Sequence, residues 1–438
     1  MNHENVAADR LSFKARLSYG LGNLGFNLLF GMAGAYLMYF YVDVYGIAPA
    51  TVASIFLLAR LADAFFDPFL GLMIDRTRTR FGRFKPYLIF LTVPYVACGI
   101  AIFSKFPLDS DAKITLAFVT YTLFGLLYSC LSLPLNSMLP SLTPDPRERT
   151  ATNALREFLG TGATVGITYA TLPLVAALGG SNEPRGFFWT AVLLGVVTIL
   201  MVATMIRNTQ ERALEDTDEA KPTIRQSLQA IRGNWPWLAT LLMNLFFWIG
   251  FISRAQSFVY YARDVLGRPD LASLLASTML AIVPGIAMSV PIALRIGKRK
   301  TAALGFVFGG VSVGLIASVN SVAWVLFMSG LSFMALGLMA GVLFALMADA
   351  VDHGKAISGV HAPGFLFAAV SVGVKIGMSI GGALGAWLLA YGGYRPGGEI
   401  TPLIQSMISY SQIAIPAACF LACAASMALF YVPTEHRR

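Results

Sequence analysis

Three ionisable side chains crowd an otherwise apolar stretch, Arg60-Leu-Ala-Asp63-Ala-Phe-Phe-Asp67-Pro68. Positions 60, 63 and 67 follow i, i+3, i+7, which on a helix puts all three on one face. Asp63 and Asp67, one turn apart, can share a small cation or a proton. Pro68 has no N–H to occupy the Ala64 carbonyl, so another hard oxygen is left beside them. The bland alternative is a self-neutralising knot that only fixes helix packing. Two acids against one base leave net negative charge, which such a knot does not need. The pattern favours a coupling site for H⁺ or Na⁺.

Lys375 lies mid-way along an apolar run, flanked by Gly373 and Gly377. An ammonium there must pair, snorkel or lose its proton. It reads as a counter-charge to Asp63 and Asp67 or as a ligand for an anionic substrate. Arg156, beside Glu157 and one turn into its run, and Arg254, near Gln256, Tyr260 and Tyr261, fit substrate ligands or gates. An interfacial ion pair fits them equally. Asp349 and Asp352 close another run and read as a solvated or helix-end salt bridge.

Chemistry of other kinds finds no constellation. The four histidines have no zinc spacing, and neither a phosphate-binding loop nor a His-Glu-x-x-His motif occurs. Cys98, Cys130, Cys419 and Cys423 sit in apolar runs as small core residues. An enzyme is not expected. Nor is a cofactor, or a metal beyond a possible Na⁺ at Asp63 and Asp67.

The elements that must position these residues follow from composition. Of 438 residues, 56% are hydrophobic and 13% are charged, about half the charged fraction of a soluble protein. Apolar runs long enough to cross a bilayer recur at 17–43, 49–75, 86–104, 114–140, 152–178, 187–206, 234–262, 270–294, 301–320, 322–350, 361–391 and 402–433. The fold class is therefore an all-α integral membrane protein of twelve transmembrane helices. With the first 16 residues inside, most of the 32 Lys and Arg fall in cytoplasmic loops, among them Arg76–Lys85 and Arg295–Lys300. That distribution makes the net charge of +9 a topology signal, with both termini cytoplasmic, and not a mark of nucleic-acid binding. No cleavable signal sequence is expected.

The polar stretch 207–233 divides an N-terminal six-helix half, 1–206, from a C-terminal half, 234–438. A basic loop, Gly71-x-x-x-Asp75-Arg76-x-Arg78-x-Arg80-x-Gly82-Arg83, follows the second run. A shorter basic turn, Arg295-Ile-Gly297-Lys298-Arg299-Lys300, follows the eighth. Basic turns at matching places suggest a duplicated unit, the plan of transporters with two halves about a central cavity. The first loop is expected to latch the closed cytoplasmic side, through Gly71, Asp75, Arg76, Arg80, Gly82 and Arg83.

The stretch from Arg16 to Pro86 resembles the glycoside–pentoside–hexuronide:cation symporters, a branch of the major facilitator superfamily. The resemblance rests on Leu17-Ser18-Tyr19-Gly20, Tyr36-x-x-Tyr39-x-Tyr41-x-Asp43, Asp63-Ala-x-x-Asp67-Pro68 and Arg80-x-Gly82-Arg83-Phe84-Lys85-Pro86. Weaker matches continue through Arg147-Glu148-Arg149, Arg156, Ala348-Asp349-x-Val351-Asp352-x-Gly354 and Lys375-x-Gly377. The resemblance implies cation binding at Asp63 and Asp67, with Ser129 and Ser132 of the fourth run at the cation site. It puts Asn27, Asn136, Arg156 and Lys375 near the substrate. Asn27 and Ser132 stand where the family has sugar-binding aspartates, Asn136 and Ala340 where it has tryptophans, and Phe66 where it has a cation-site asparagine. These departures weaken sugar specificity more than cation coupling and tilt the ion towards H⁺.

The expected protein is a monomeric inner-membrane symporter driving uptake of a sugar or glycoside-like solute by alternating access. The alternative is a transporter of the same fold for a lysolipid, small peptide or amphipathic organic anion, with Arg156, Arg254 and Lys375 as counter-charges.

Overall fold

The computed structural model describes residues 11–143, 145–211, 224–319, 321–360 and 363–431. It is helical throughout, apart from one isolated bridge between Thr79 and Gly82. The first half contains α1 (Phe13–Tyr39), α2 (Pro49–Arg76), α3 (Lys85–Ala101), α4 (Ser110–Leu142), α5 (Pro146–Gly179) and α6 (Glu183–Asn208). A short α7 (Ile224–Gln229) precedes α8 (Trp235–Tyr260), α9 (Leu271–Ser277), α10 (Ile282–Ile296), α11 (Lys298–Leu315) and α12 (Val322–Ala340). Then come α13 (Leu343–Ser358), α14 (Pro363–Tyr391), α15 (Pro402–Ser409) and α16 (Ile415–Phe430).

Ten helical stretches among the described residues are long and apolar enough to cross a membrane. Two expected spans are not among them: α3 has only 17 residues, and α2 includes side chains outside the described ones. Within the run expected at 322–350 the helix breaks after Ala340 and resumes at Leu343, continuing to Ser358. Asp349 and Asp352 therefore lie inside α13 instead of closing a span. Gly341 sits at the break, where an added Cβ would lie 1.8 Å from Ser289 Oγ.

The chain divides into two compact units. Unit 1 comprises residues 1–47 and 58–217, and unit 2 comprises 48–57 and 218–438. In unit 1, α1 packs on α5 and α6, and α3 packs on α4 and α6. In unit 2, α8 packs on α14 and α16, and α11 packs on α12 and α16. Counting spans within each unit, both sets pair first with fifth, first with sixth, third with fourth and third with sixth. This shared scheme is what two copies of one helical unit would show.

A second shared feature sits where the first helix of each unit ends. Phe40–Val44 and Tyr261–Val265 are π turns. In the first, Tyr45 N–H donates to Phe40 O and Ile47 N–H to Tyr41 O. In the second, Leu266 N–H donates to Tyr261 O and Arg268 N–H to Ala262 O. Each turn is closed by a glycine at positive φ, Gly46 at 76° and Gly267 at 65°, a conformation that costs glycine no Cβ clash. The residues repeat too, Tyr41-x-Asp43-Val44-x-Gly46 and Tyr261-x-x-Asp264-Val265-x-Gly267.

Candidate functional site

Helix α2 is sharply two-sided. Phe65 is 74% exposed while Asp63, two residues earlier, is 2% exposed. A carboxylate so buried among apolar residues needs polar partners. Ser129 of α4 supplies one, its Oγ donating to Asp63 Oδ1 at 2.8 Å. Arg60, one turn earlier, places Nη1 3.9 Å from Asp63 Oδ2. That separation exceeds a hydrogen bond, because aromatic faces also claim the guanidinium. It lies 5.2 Å from the centre of the Phe30 ring and 5.7 Å from that of Tyr121. A carboxylate and a hydroxyl form a hard-oxygen set that suits a proton or a small monovalent cation.

A polar ladder runs from this cluster to Arg156. Phe30 stacks on Tyr128 with ring centres 4.0 Å apart, and Tyr128 Oη donates to Asn27 Oδ1 at 3.4 Å. Asn27 Nδ2 donates to the Asn23 carbonyl at 2.8 Å and to Asn23 Oδ1 at 3.2 Å. Asn23 Nδ2 in turn reaches the Arg156 carbonyl at 3.1 Å. The ladder exists because position 160 is glycine: a Cβ there would lie 2.2 Å from Asn23 Nδ2. Arg156 donates through Nη1 to Asn136 Oδ1 and through Nη2 to Glu157 Oε1. Helix α5 starts at Pro146, before the apolar stretch at Ala151, so Arg156 is about one turn into that stretch and nearly three into the helix, and it is 6% exposed.

Asp63, Ser129, Asn27, Asn136 and Arg156 thus belong to one connected polar system within unit 1. Ser132, a turn beyond Ser129, is partly buried and makes no hydrogen bond among the described residues. Asp67 and Pro68 lie outside the described side chains, as do Gly71, Asp75 and Arg76. Arg254 and Lys375 belong to unit 2. Arg254 does not use Gln256, Tyr260 or Tyr261 as hydrogen-bond partners; its Nη1 donates to Ser332 Oγ at 3.2 Å and it lies over Phe333. Lys375 is partly exposed. Its flanking Gly373 and Gly377 let α14 close on α8, where a Cβ would meet Leu241 Cδ1 at 2.6 Å and the Leu245 carbonyl at 2.5 Å.

The loop between α2 and α3 is pinned by a residue the sequence reading missed. Glu211 accepts the backbone N–H groups of Arg83 at 2.7 Å, Phe84 at 3.2 Å and Lys85 at 2.7 Å. Phe84 cannot cap α3 with its own side chain, and an uncapped N-terminus was the one available signal. Reciprocally, Lys85 Nζ donates to the Thr209 carbonyl at 2.5 Å and the Ile206 carbonyl at 3.3 Å, at the end of α6. Charges of the correct sign thus sit at both helix ends. Of the residues expected to latch this loop, Arg83 Nε bonds the Ile74 carbonyl at 3.2 Å. Gly82 turns the chain at φ 104°, and Arg80 is exposed over Phe81.

Glu148 was also passed over, beyond its place in a weak match. It accepts the Leu11 N–H at 3.0 Å, the Thr143 hydroxyl at 2.9 Å and the Arg16 guanidinium at 2.5 Å. These bonds, the Leu11 N–H foremost, hold its carboxyl below the ordinary pKa. In unit 2, Lys298 Nζ meets Asp349 Oδ2 at 2.6 Å and Tyr431 Oη lies 3.3 Å from the same oxygen. This is the salt bridge expected for Asp349.

Residues 18–434 match the family described as MFS/sugar transport protein. The isoprimeverose transporter of Lactiplantibacillus pentosus is 34% identical over 90% of this chain and 82% of its own. The inner membrane symporter YicJ of Escherichia coli is 31% identical over 98% of this chain and 94% of its own. In fold, the crystal structure of a D-xylose–proton symporter superposes with a TM-score of 0.66 at 14% identity, covering 98% of this chain and all of that one. These relatives are membrane transporters, not enzymes, and they do not favour an amphipathic solute. With its two similarly packed helical units and its buried Asp63–Ser129 cluster, the chain belongs to the glycoside–pentoside–hexuronide:cation symporter family of the major facilitator superfamily.

Proposed function

We propose that the protein spans the bacterial inner membrane twelve times, with both termini in the cytoplasm and its two halves joined through 207–233. Helices α2 and α3 complete the count. Asp63 with Ser129, assisted by Asp67 and Ser132, takes the coupling ion, H⁺ in preference to Na⁺. The substrate is a pentose- or hexose-containing glycoside, the class named for the Lactiplantibacillus relative. The amides of Asn27 and Asn136 and the Arg156 guanidinium meet its hydroxyls. The observation that carries this reading is the contact chain Asp63–Arg60–Phe30–Tyr128–Asn27. A change of charge at Asp63 shifts what Arg60 pairs with, and this reaches the amide ladder through packed rings.

Uptake of labelled isoprimeverose into vesicles tests both parts. Accumulation driven by an imposed pH gradient and insensitive to Na⁺ is the expected result. Accumulation that needs Na⁺ at constant pH replaces the proton, and no uptake of any glycoside overturns the substrate class.

A further inference from the structure

Unit 2 buries a positive charge with no acid against it. Arg254 is 3% exposed, and no carboxylate reaches it among the described residues. Its bond goes to Ser332 Oγ, whose own proton is committed to the Gly309 carbonyl at 3.0 Å. The Phe333 ring lies 4.5 Å from the guanidinium carbon. An uncompensated charge in such surroundings is among the costliest arrangements a membrane protein can hold.

Arg254 borders a small cavity of about 20 Å³ together with Phe258, Ser329, Phe333 and Gln412. Ser329 is 1% exposed, and its Oγ has no hydrogen-bond partner among the described residues. Gln412 sits in the π turn Tyr410–Ala414, whose Ser411 hydroxyl meets Ser253 Oγ at 3.0 Å. The Gln412 carbonyl oxygen already accepts from Ser257 at 3.0 Å, so its amide N–H₂ is what it has to offer. The polar groups bordering the cavity are the Arg254 guanidinium, the Ser329 and Thr278 hydroxyls and the Gln412 amide, with no carboxylate among the described residues; Thr278 Oγ1 already donates to the Leu275 carbonyl at 2.6 Å. The volume admits one water-sized particle, too little for a sugar or a lipid head group.

We propose that this cavity binds a small monovalent anion of the halide class, which neutralises Arg254 inside unit 2. The site is independent of the coupling-ion and glycoside assignments, since none of its residues belongs to the unit 1 cluster.

Thermal unfolding of the purified full chain in detergent tests it, with sodium chloride or bromide replacing sodium HEPES at constant Na⁺ and ionic strength. The midpoint should rise saturably by several degrees with either halide, as expected for a ligand bound only to the folded state. Arg254→Gln should abolish the halide response. Ser329→Ala and Gln412→Ala should retain it, with half-saturation raised roughly 2- to 12-fold for one lost hydrogen bond. Coincident halide and HEPES curves overturn the proposal, and so does an undiminished response in Arg254→Gln. If Arg254→Gln does not fold, unchanged half-saturation in both Ser329→Ala and Gln412→Ala overturns it equally. Acetate acting as strongly as chloride would assign the cavity to carboxylate groups and remove the halide.

Discussion

The two units share a packing scheme and differ in what they bury. Unit 1 encloses a carboxylate, Asp63, served by Ser129 and approached by Arg60, and ties it through rings and amides to Arg156. Unit 2 encloses an arginine, Arg254, served by a serine and a phenylalanine ring. The eighth span, Leu271–Ile296, has no Asp, Glu or Lys at all, and its one arginine, Arg295, is at its end. Its counterpart α2 carries Arg60, Asp63 and Asp67. The helical frame is common to both, so the units differ in the few ionisable side chains that one helix of each carries. A duplicated scaffold can specialise in this way because helix packing depends on small residues at contact points, while the buried charges sit beside them.

The sharpest way to break the comparison is at Asp63. Asp63→Asn should reduce concentrative uptake to about the external level while leaving substrate exchange intact, because the amide can still accept from Ser129. Accumulation against a gradient by this variant would remove Asp63 from coupling. Next in size, Asn27→Ala should raise the half-saturation for uptake roughly 5- to 150-fold, for about 1–3 kcal/mol lost in a desolvated site. Asn244 of α8 also bonds the carbonyl four residues back, Thr240, at 2.8 Å. Asn244→Ala should leave half-saturation unchanged, and an equal effect of the two variants would erase the contrast between units.

Smaller effects belong to the helix ends. Glu211→Ala strips the acceptor from three N–H groups and should cost about 0.5–2 kcal/mol, as for other lost caps, read as a lowered unfolding midpoint. Glu148→Gln should destabilise most near neutral pH. The Glu148 pKa is depressed on folding, so its contribution is complete above the ordinary carboxyl pKa and is lost as pH falls through the depressed value. The gap in midpoint between wild type and variant should therefore shrink on acidification, and a gap that widens would contradict the assignment. Asp349→Asn in unit 2 should do least, about 0–1 kcal/mol, because both partners of its ion pair are partly exposed.

Much of this was legible in the sequence. Apolar run length located most helices to within a few residues, since a bilayer demands continuous backbone pairing, though the run expected to end at 350 continues to Ser358. The i, i+3 spacing of Arg60 and Asp63 foretold their shared face. The break at Gly341–Val342 was not legible, because an uninterrupted apolar run looks alike whether its hydrogen-bond ladder is whole or broken. The roles of Glu211 and Asn23 were equally hidden. Each acts on a backbone group distant in sequence, and no local spacing records which N–H or carbonyl lacks a partner. Arg254 was flagged by its cost, but its partners Ser332 and Phe333 lie on another helix, beyond the reach of periodicity.

The paired π turns carry a historical consequence. A π turn holds one residue more than the α-helix it interrupts, so each marks an insertion event. Here each π turn stands at the same helix end in both units, ends on the same Asp-Val pair and is closed by a glycine. Two separate insertions would have had to choose the same register and recruit the same residues. A single insertion copied with the unit needs fewer coincidences than two separate ones, while the third π turn, Tyr410–Ala414, has no counterpart in α6.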